Sequence, residues 1–145
     1  MREILFRAKR IDNGEWVEGN LINLDVDSGY CYIVPPYKGA STLPIGFLIT
    51  YGMELVIPET ICQFTGLTDK NSNKIWENDI LMAHLDESYP ENVTYETVEW
   101  NFAGWVTHEA NSVDRQYLDE FDTEHFEVVG NIFDNPELLQ EESDE

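Results

Sequence analysis

Apolar and polar side chains alternate with period two at the start of the chain. Every second residue of Ile4–Ala8 is apolar, and Asn13-Gly14 separates this segment from a second one that begins at Trp16. Such alternation is typical of a half-buried strand, and Asn-Gly is the pair most favoured in the tight turns of β-hairpins. The pattern therefore predicts a β-hairpin over residues 4–21.

The rest of the chain repeats this organisation, with β-branched and aromatic runs separated by turn residues. The predicted strands cover residues 30–34, 61–65, 80–83, 94–100, 105–108 and 126–133. The spacing of Tyr117, Leu118 and Phe121 predicts a short helix with one apolar side. Asn135-Pro136 predicts a second short helix, because Asn caps helices and Pro is favoured at the first helical position. The fold class predicted is mainly β with a short C-terminal helix.

The 145 residues fit one domain that is large enough to bury a hydrophobic core. No linker divides the chain, so we expect a single domain over 1–145. Within it we expect an N-terminal hairpin region over about 1–55, a β unit over 56–85, and a C-terminal β segment with a short helix over 93–142.

Several features predict a soluble, cytoplasmic protein. No apolar run approaches the roughly 20 residues that a bilayer-spanning helix needs. The first ten residues carry charges where a signal peptide has its apolar segment. Cys31 and Cys62 are therefore expected to stay reduced and to lie in strands as small buried side chains.

Acidic residues dominate the composition, and they are unevenly distributed. The chain has 29 acidic and 8 basic residues and a net charge of −21. Residues 1–74 hold seven basic and nine acidic side chains, whereas residues 75–145 hold one basic and twenty acidic ones. The negative electrostatic field of residues 75–145 repels nucleic-acid phosphates and anionic membranes and attracts basic proteins. We therefore expect no direct contact with nucleic acid or membrane, and a basic protein is a candidate partner; a charge that serves only solubility is the alternative.

The candidate chemical motifs fail on inspection, so no catalytic, cofactor-binding or metal-binding residue is predicted. Asp69, Asn71 and Asn73 have the first three ligand spacings of a calcium-binding EF-hand loop. Lys74 and Ile80, however, occupy the positions that need Gly and a bidentate Glu. The histidines lie far apart in the sequence, at His84, His108 and His125. None belongs to a recognisable metal or catalytic motif.

The aromatic residues point to an interface. The candidates are the four tryptophans, Trp16, Trp76, Trp100 and Trp105. Trp and Tyr are enriched at protein interfaces, although Trp is also often largely buried, so a location in the core is the alternative. Because a β protein of this size has strand edges to cover, we also expect a homo-oligomer.

Two long segments resemble the motifs of a known family. Residues 56–80 read VIPETICQFTGLTDKNSNKIWENDI, and residues 126–139 read FEVVGNIFDNPELL. Both resemble the YopX family of phage and prophage proteins, in the order that the family has them. The residues that carry the resemblance are Pro58, Thr60, Phe64, Thr65, Gly66, Leu67, Asp69, Asp79, Gly130, Asn131, Asn135 and Pro136. Cys62, Ser72 and Asn78 stand where the family has glycine, and Asn73 or Asn78 is expected to supply left-handed backbone geometry.

The resemblance implies a mainly β protein with an SH3-like barrel core, carried by mobile genetic elements, and it brings no catalytic residues. The leading hypothesis is therefore a non-enzymatic phage or prophage accessory protein that acts by protein interaction in the cytoplasm of the bacterial host. The candidate partner is a basic host or phage protein. An acidic decoy that occupies the basic site of a host nucleic-acid-binding protein is the alternative. An enzyme without a recognisable motif is the second alternative.

Overall fold

The structure is a computed structural model that describes residues 3–25, 29–36, 43–44, 46–47, 52–84, 88–89, 91–110, 112–119 and 124–140. The chain divides into two compact units, Met1–Phe64 and Thr65–Glu145. The division lies inside the segment 56–85 that the sequence groups as one β unit. The single-domain organisation over 1–145 stays a prediction.

The described residues are mainly β and form two antiparallel sheets, as the sequence predicts. The strands of the first sheet, in chain order, are β1 (Phe6–Lys9), β2 (Trp16–Asp25), β3 (Tyr30–Val34), β4 (Glu54–Val56), β5 (Cys62–Thr68) and β6 (Lys74–Trp76). Those of the second sheet are β7 (Asp79–His84), β8 (Val93–Asn101), β9 (Gly104–Glu109), β10 (Gln116–Tyr117) and β11 (Phe126–Asn131). The spatial orders are β4-β3-β2-β1-β5-β6 and β10-β9-β8-β7-β11.

The first unit is built on the predicted N-terminal hairpin. β1 pairs with β2 in antiparallel register, with Phe6 opposite Gly19 and Lys9 opposite Trp16. Gly14 has a φ of +72°, which a tight turn between such strands requires. The core of this unit consists of the buried side chains Ala8, Cys31, Ile33 and Val56. Both cysteines are buried.

The second unit packs its core on one face of the second sheet. The buried residues are Ile75, Leu81, Val98, Leu118 and Phe126, and Leu67, Ala83, Trp105 and Val128 pack against them. Opposite residues of neighbouring strands lie on the same face, so pairs such as Leu81 with Val128 bring apolar side chains together. Burying these side chains supplies the main driving force for this unit.

Three details differ from the sequence-based expectation. The SH3-like barrel is not confirmed, because in the described residues each sheet has two edge strands and neither closes. The C-terminal helix is a single 3-10 turn, Pro136–Leu139, which ends because Gln140 adopts an extended backbone with ψ +132°. The predicted helix around Tyr117 is also wrong, since Tyr117 lies in β10. The last residue of that predicted helix, Phe121, lies outside the described residues.

A second 3-10 turn, Pro58–Thr60, connects β4 to β5. Within the described ranges, no helix is both long enough and apolar enough to cross a bilayer.

Candidate functional site

One buried carboxylate organises the turn between β5 and β6. Asp69 is only 5% exposed. Its Oδ1 accepts the backbone N–H groups of Asn71 and Asn73, each at 2.9 Å. Its Oδ2 accepts the backbone N–H of Val128 at 2.9 Å. The same side chain therefore closes the turn and joins it to β11.

The neighbouring residue makes a second connection to β11. Lys70 donates its backbone N–H to the carbonyl oxygen of Phe126 at 3.2 Å. Its ammonium group lies 3.7 Å from the carboxylate of Glu127. Since β11 is an edge strand, the turn occupies backbone groups that an exposed edge would leave available to another strand.

The environment of Asp69 favours its ionised form. Burial raises the pKa of this carboxyl group, but the N–H donors of Val128, Asn73 and Asn71 outweigh burial and lower the pKa below its usual value. The residues of the calcium-like spacing thus bind one another and the backbone. In the part of the chain that the structure describes, no group of three or more His, Cys, Asp and Glu side chains could hold a metal ion.

A second buried carboxylate organises the start of β7. Asp79 is 1% exposed, and its Oδ2 accepts the backbone N–H of Trp76 at 2.8 Å. The preceding residue, Asn78, has a φ of +69°. Its N–H donates to the carbonyl of Val98 and its carbonyl accepts from the N–H of Ile132. This turn therefore connects three parts of the second unit.

Left-handed backbone geometry occurs at two positions where the family motif has glycine. These are Asn78 and Ser72, with φ values of +69° and +66°. The sequence predicts this geometry at Asn73 or Asn78; Asn78 adopts it, whereas Asn73 does not have a positive φ. The signature residue Gly66 has a φ of +88°, a conformation that glycine adopts readily.

The C-terminal motif forms a compact turn after β11. Asn131 is 8% exposed, and its Oδ1 accepts the backbone N–H groups of Phe133 and Asp134. In the opposite direction, Oδ1 of Asn135 accepts the backbone N–H of Asn131 at 3.2 Å. A Cβ atom at Gly130 would lie 2.3 Å from that Oδ1. Only glycine fits between the strand and the turn without movement.

The two threonines of the first motif also bind the backbone. The hydroxyl of Thr60 donates to the carbonyl of Ile57 and accepts the N–H of Lys9. The hydroxyl of Thr65 donates to the carbonyl of Ile75. Buried hydroxyl groups that are bonded in this way fix turns and strand ends.

The remaining motif residues also contribute to turns or to the core. Pro58 and Pro136 are the first residues of the two 3-10 turns. Phe64 is buried, and Leu67 packs against the core of the second unit. All twelve motif residues thus lie in strands, turns or core. The contacts described for them are hydrogen bonds to the backbone or packing in the core.

The four tryptophans differ in exposure. Trp76 is 3% exposed, and Trp105 packs against the core. The guanidinium of Arg7 lies 4.6 Å from the ring centroid of the half-buried Trp16. Trp100 is 52% exposed, and its ring meets that of Trp105 edge-on at 5.1 Å. Trp100 is therefore the one of the four that is most available to a partner; the interface assignment of all four stays a prediction.

Two more aromatic residues are exposed at the same end of the second sheet as Trp100. Phe102, in the turn between β8 and β9, is 99% exposed and has a φ of +47°. Tyr117 in β10 is 63% exposed, and its ring lies against Gly104 at the start of β9. We refer to Trp100, Phe102 and Tyr117 as the tip aromatics.

A polar network lies next to the tip aromatics. Glu99 accepts the Nε–H of Arg115 on Oε1, and its Oε2 lies 3.3 Å from Nε2 of His108. The hydroxyl of Thr97 lies 3.1 Å from the same Nε2. Nδ1 of His108 lies 3.0 Å from the carbonyl oxygen of Glu109. The network connects β8, β9 and the segment that leads into β10.

The geometry limits what the imidazole can do. Because a carbonyl oxygen only accepts, Nδ1 of His108 carries a proton. Nε2 then accepts from Thr97 when the ring is neutral and donates to Glu99 when it is protonated. A catalytic relay needs the hydroxyl and the carboxylate on different ring nitrogens, and here both are at Nε2. The arrangement fits a structural brace better than a relay.

The sequence matches the family described as YopX protein over residues 5–140, which is nearly the whole chain. The chain belongs to the YopX family. Comparison with curated proteins gave no significant match.

A solved structure resembles this YopX chain over almost its full length. It is the crystal structure of protein EF1440 from Enterococcus faecalis, with a TM-score of 0.57 and 23% sequence identity. The similarity covers 97% of this chain and 100% of EF1440. At this identity the similarity concerns the fold.

Sequence reasoning found the YopX motifs but missed Phe102, Tyr117 and the network around Glu99. The available signal was Phe102 beside Ala103-Gly104, a large apolar residue next to a recognised turn. Such a position is normally polar or glycine. The pairing of Glu99 with Arg115, sixteen residues apart, had no local signal.

Proposed function

We propose that this YopX-family chain is a non-enzymatic protein-interaction module that binds a partner through the tip aromatics. In line with the sequence resemblance, it would act as a phage or prophage accessory protein in the cytoplasm of the bacterial host. The observation that carries the proposal is Phe102, which combines near-complete exposure with a positive φ.

Stability gives no reason for phenylalanine at this position. A left-handed conformation costs a residue with a Cβ roughly 1–2 kcal/mol, and Asn or Gly adopts it more readily. Because the ring is exposed, the chain also lacks the gain of about 25 cal/mol per Å² that burial of apolar surface brings. A partner that covers Phe102 would recover this free energy of burial.

The neighbours of Phe102 support a protein as the partner. Trp100 and Tyr117 flank it, and each is more than half exposed. Trp and Tyr dominate the binding energy of protein interfaces, because they bury a large area at little cost in side-chain entropy. The register places Trp100 and Tyr117 on opposite faces of the second sheet, so the exposed rings surround the β8–β9 end of the sheet and give a partner apolar contacts on both faces.

Charge favours a basic partner. Asp114 and Asp119 are exposed on either side of β10, and Glu109 is exposed at the end of β9. Arginine side chains of a partner would be attracted by this field and can also stack on the tip aromatics. A second copy of the chain is the other candidate occupant, as the expected homo-oligomer requires.

Photo-cross-linking in the bacterial host tests the proposal. Benzoylphenylalanine would be placed at position 102, and at position 89 as a control, because Tyr89 is also an exposed aromatic residue (55%). We expect a discrete cross-linked protein from position 102 alone, and a loss of that product when Trp100→Ser is added. Equal products from both positions, or none from position 102, would overturn the proposal.

The charge distribution also supports the decoy alternative, since residues 75–145 hold twenty of the 29 acidic residues. In that case the chain would mimic nucleic acid on a basic host protein. The test is release of a labelled DNA duplex from a purified basic nucleoid protein. Release that is strong at low salt and weak at high salt supports the decoy, because screening weakens charge attraction. Absence of release at low salt contradicts it.

A further inference from the structure

We infer that the partner binds to β10 as an added β-strand, supplied by an extended and basic protein segment. This inference rests on the proposed interaction function and specifies how the partner is recognised. Addition of a strand to a sheet edge uses backbone hydrogen bonds for affinity and side chains for selectivity.

The two edges of the second sheet differ. At β11 the β5–β6 turn occupies the outer edge, because Val128 donates to Asp69 and Phe126 accepts from Lys70. No equivalent bonds from the described residues reach the outer edge of β10. Only one edge of this sheet is thus available to another strand in the described structure.

The register of β10 shows which backbone groups point outward. Leu118 donates its N–H to the carbonyl of Trp105 in β9, and Tyr117 lies opposite Val106. In an antiparallel ladder, alternate residues bond to the same neighbour, so the N–H and C=O of Tyr117 point away from β9. These two groups are the attachment point for an added strand.

The side chains at this edge favour basic residues in the added strand. Asp114 and Asp119 flank β10 and are exposed. The one basic residue near the edge, Arg115, already contacts Glu99. A strand that carries Arg or Lys would meet a net negative surface, with the ring of Tyr117 available for stacking.

The same charges disfavour a second copy of the chain as the added strand. Two copies paired antiparallel about Tyr117 would place Asp119 of one copy opposite Arg115 of the other, and this one favourable charge contact would have to compete with Glu99 for the guanidinium. Each copy also carries a net charge of −21. A basic segment meets neither obstacle.

Backbone-methylated peptides test this inference with the unmodified full-length chain. The probe is a short labelled peptide in which arginine and valine alternate. Two versions carry N-methyl groups, one on every valine and the other on every arginine. In an added strand only one of these two sets of N–H groups faces β10. We expect the parent peptide and one methylated version to bind, and the other to bind about tenfold more weakly or worse, because it loses its backbone bonds.

Three outcomes would overturn strand addition. The first is equal binding of all three peptides, which indicates charge attraction alone. The second is absence of binding by the parent peptide. The third is a concentration-dependent dimer in sedimentation that the peptide does not dissociate, which makes the second copy the occupant. If cross-linking from position 102 still succeeds, the interaction function stands and only strand addition fails.

A pair of variants supplies an independent measurement. Tyr117→Ala removes the ring, whereas Tyr117→Pro also removes the outward N–H, which β9 does not use. Proline is tolerated on edge strands at such positions. We expect Tyr117→Pro to weaken binding of the parent peptide by about tenfold relative to Tyr117→Ala, because a backbone bond is lost. Equal affinities of the two variants, with equal unfolding midpoints, would contradict strand addition.

Discussion

The turn between β5 and β6 and the turn between β8 and β9 each contain a non-glycine residue with positive φ, Ser72 and Phe102. Around Ser72, the carboxylate of Asp69 accepts three backbone N–H groups and links the turn to β11. At Phe102, an apolar ring stands almost fully exposed to solvent.

The difference separates a turn built for stability from a turn that presents a side chain. Buried backbone donors that lack a partner are costly, and Asp69 removes that cost in its turn. The β8–β9 turn retains an unfavourable backbone conformation without a comparable gain inside the chain. Backbone strain of this kind is concentrated at functional positions. The two turns should therefore respond in opposite directions to substitution.

The largest effect is expected at Asp69. Asp69→Asn keeps the size of the side chain, but an NH2 group replaces one of the two accepting carboxylate oxygens. At least one backbone N–H group would then face another donor instead of an acceptor. We expect the free energy of unfolding to fall by about 3 kcal/mol, because bonds to a buried charge are lost. Urea unfolding measures this change. Asp114→Asn, at an exposed site, is the control and should change stability by less than about 0.5 kcal/mol. Equal effects of the two substitutions would refute the structural role of Asp69.

The contribution of Asp69 should also depend on pH. Its folded-state pKa is lowered, so the ionised group stabilises the folded chain fully above the unfolded-state value of about 4. That stabilisation is lost as the pH falls through the folded-state pKa. The difference in stability between the wild type and Asp69→Asn should therefore shrink in acid. A difference that stays constant from neutral pH to below pH 4 would contradict this assignment.

A somewhat smaller loss is expected at Gly130, the β11 residue that packs against the turn after this strand. Gly130→Ala would place a Cβ atom 2.3 Å from Oδ1 of Asn135. We expect a loss of about 2 kcal/mol in unfolding free energy, as is usual when a packed site is overfilled. In the background of Asn135→Gly the same substitution should cost less, because the whole obstructing side chain, including its Cβ at 2.8 Å, is absent. Additive effects in this double-mutant cycle would disprove the steric explanation.

The sequence predicts most of the strands because their signals are local. Period-two alternation and Asn13-Gly14 indicate the first hairpin, which is found as β1 and β2. The bond from Val128 to Asp69 spans 59 residues, and no local pattern indicates it. The start of the C-terminal turn at Pro136 was recognisable, but its end was not, because Leu139 and Gln140 carry no stop signal.

The candidate site was less predictable than the fold. Trp100 was among the predicted interface residues, together with the largely buried Trp76, because periodicity alone does not distinguish a core tryptophan from one at a sheet end. The sequence predicts a helix around Tyr117, because a two-residue edge strand is too short to show an alternating pattern. Exposure of this kind depends on which strands lie alongside, and that is decided by tertiary packing.

A gain in stability is expected at Phe102. Asn adopts left-handed geometry more readily than Phe, so Phe102→Asn should raise the unfolding free energy by about 1 kcal/mol. The neighbouring Ala103 does not have a positive φ, so Ala103→Asn should give no gain. Thermal unfolding compares the two variants. If Phe102→Asn proved destabilising, the ring would be a structural element of the turn, and the contrast with the β5–β6 turn would disappear.

The smallest effect is expected in the network that braces β10. Glu99→Gln weakens the contacts to Arg115 and His108, whose side chains are 38% and 21% exposed. Solvent screens such pairs, so we expect a loss of less than about 1 kcal/mol that declines further at high salt. The more sensitive readout is amide hydrogen exchange. Leu118, whose N–H bonds to β9, should exchange faster in Glu99→Gln, whereas Glu109→Gln should leave it unchanged. Unchanged exchange at Leu118 would mean that β10 is held by its backbone and core contacts alone, so that the edge offered to a partner does not depend on the network.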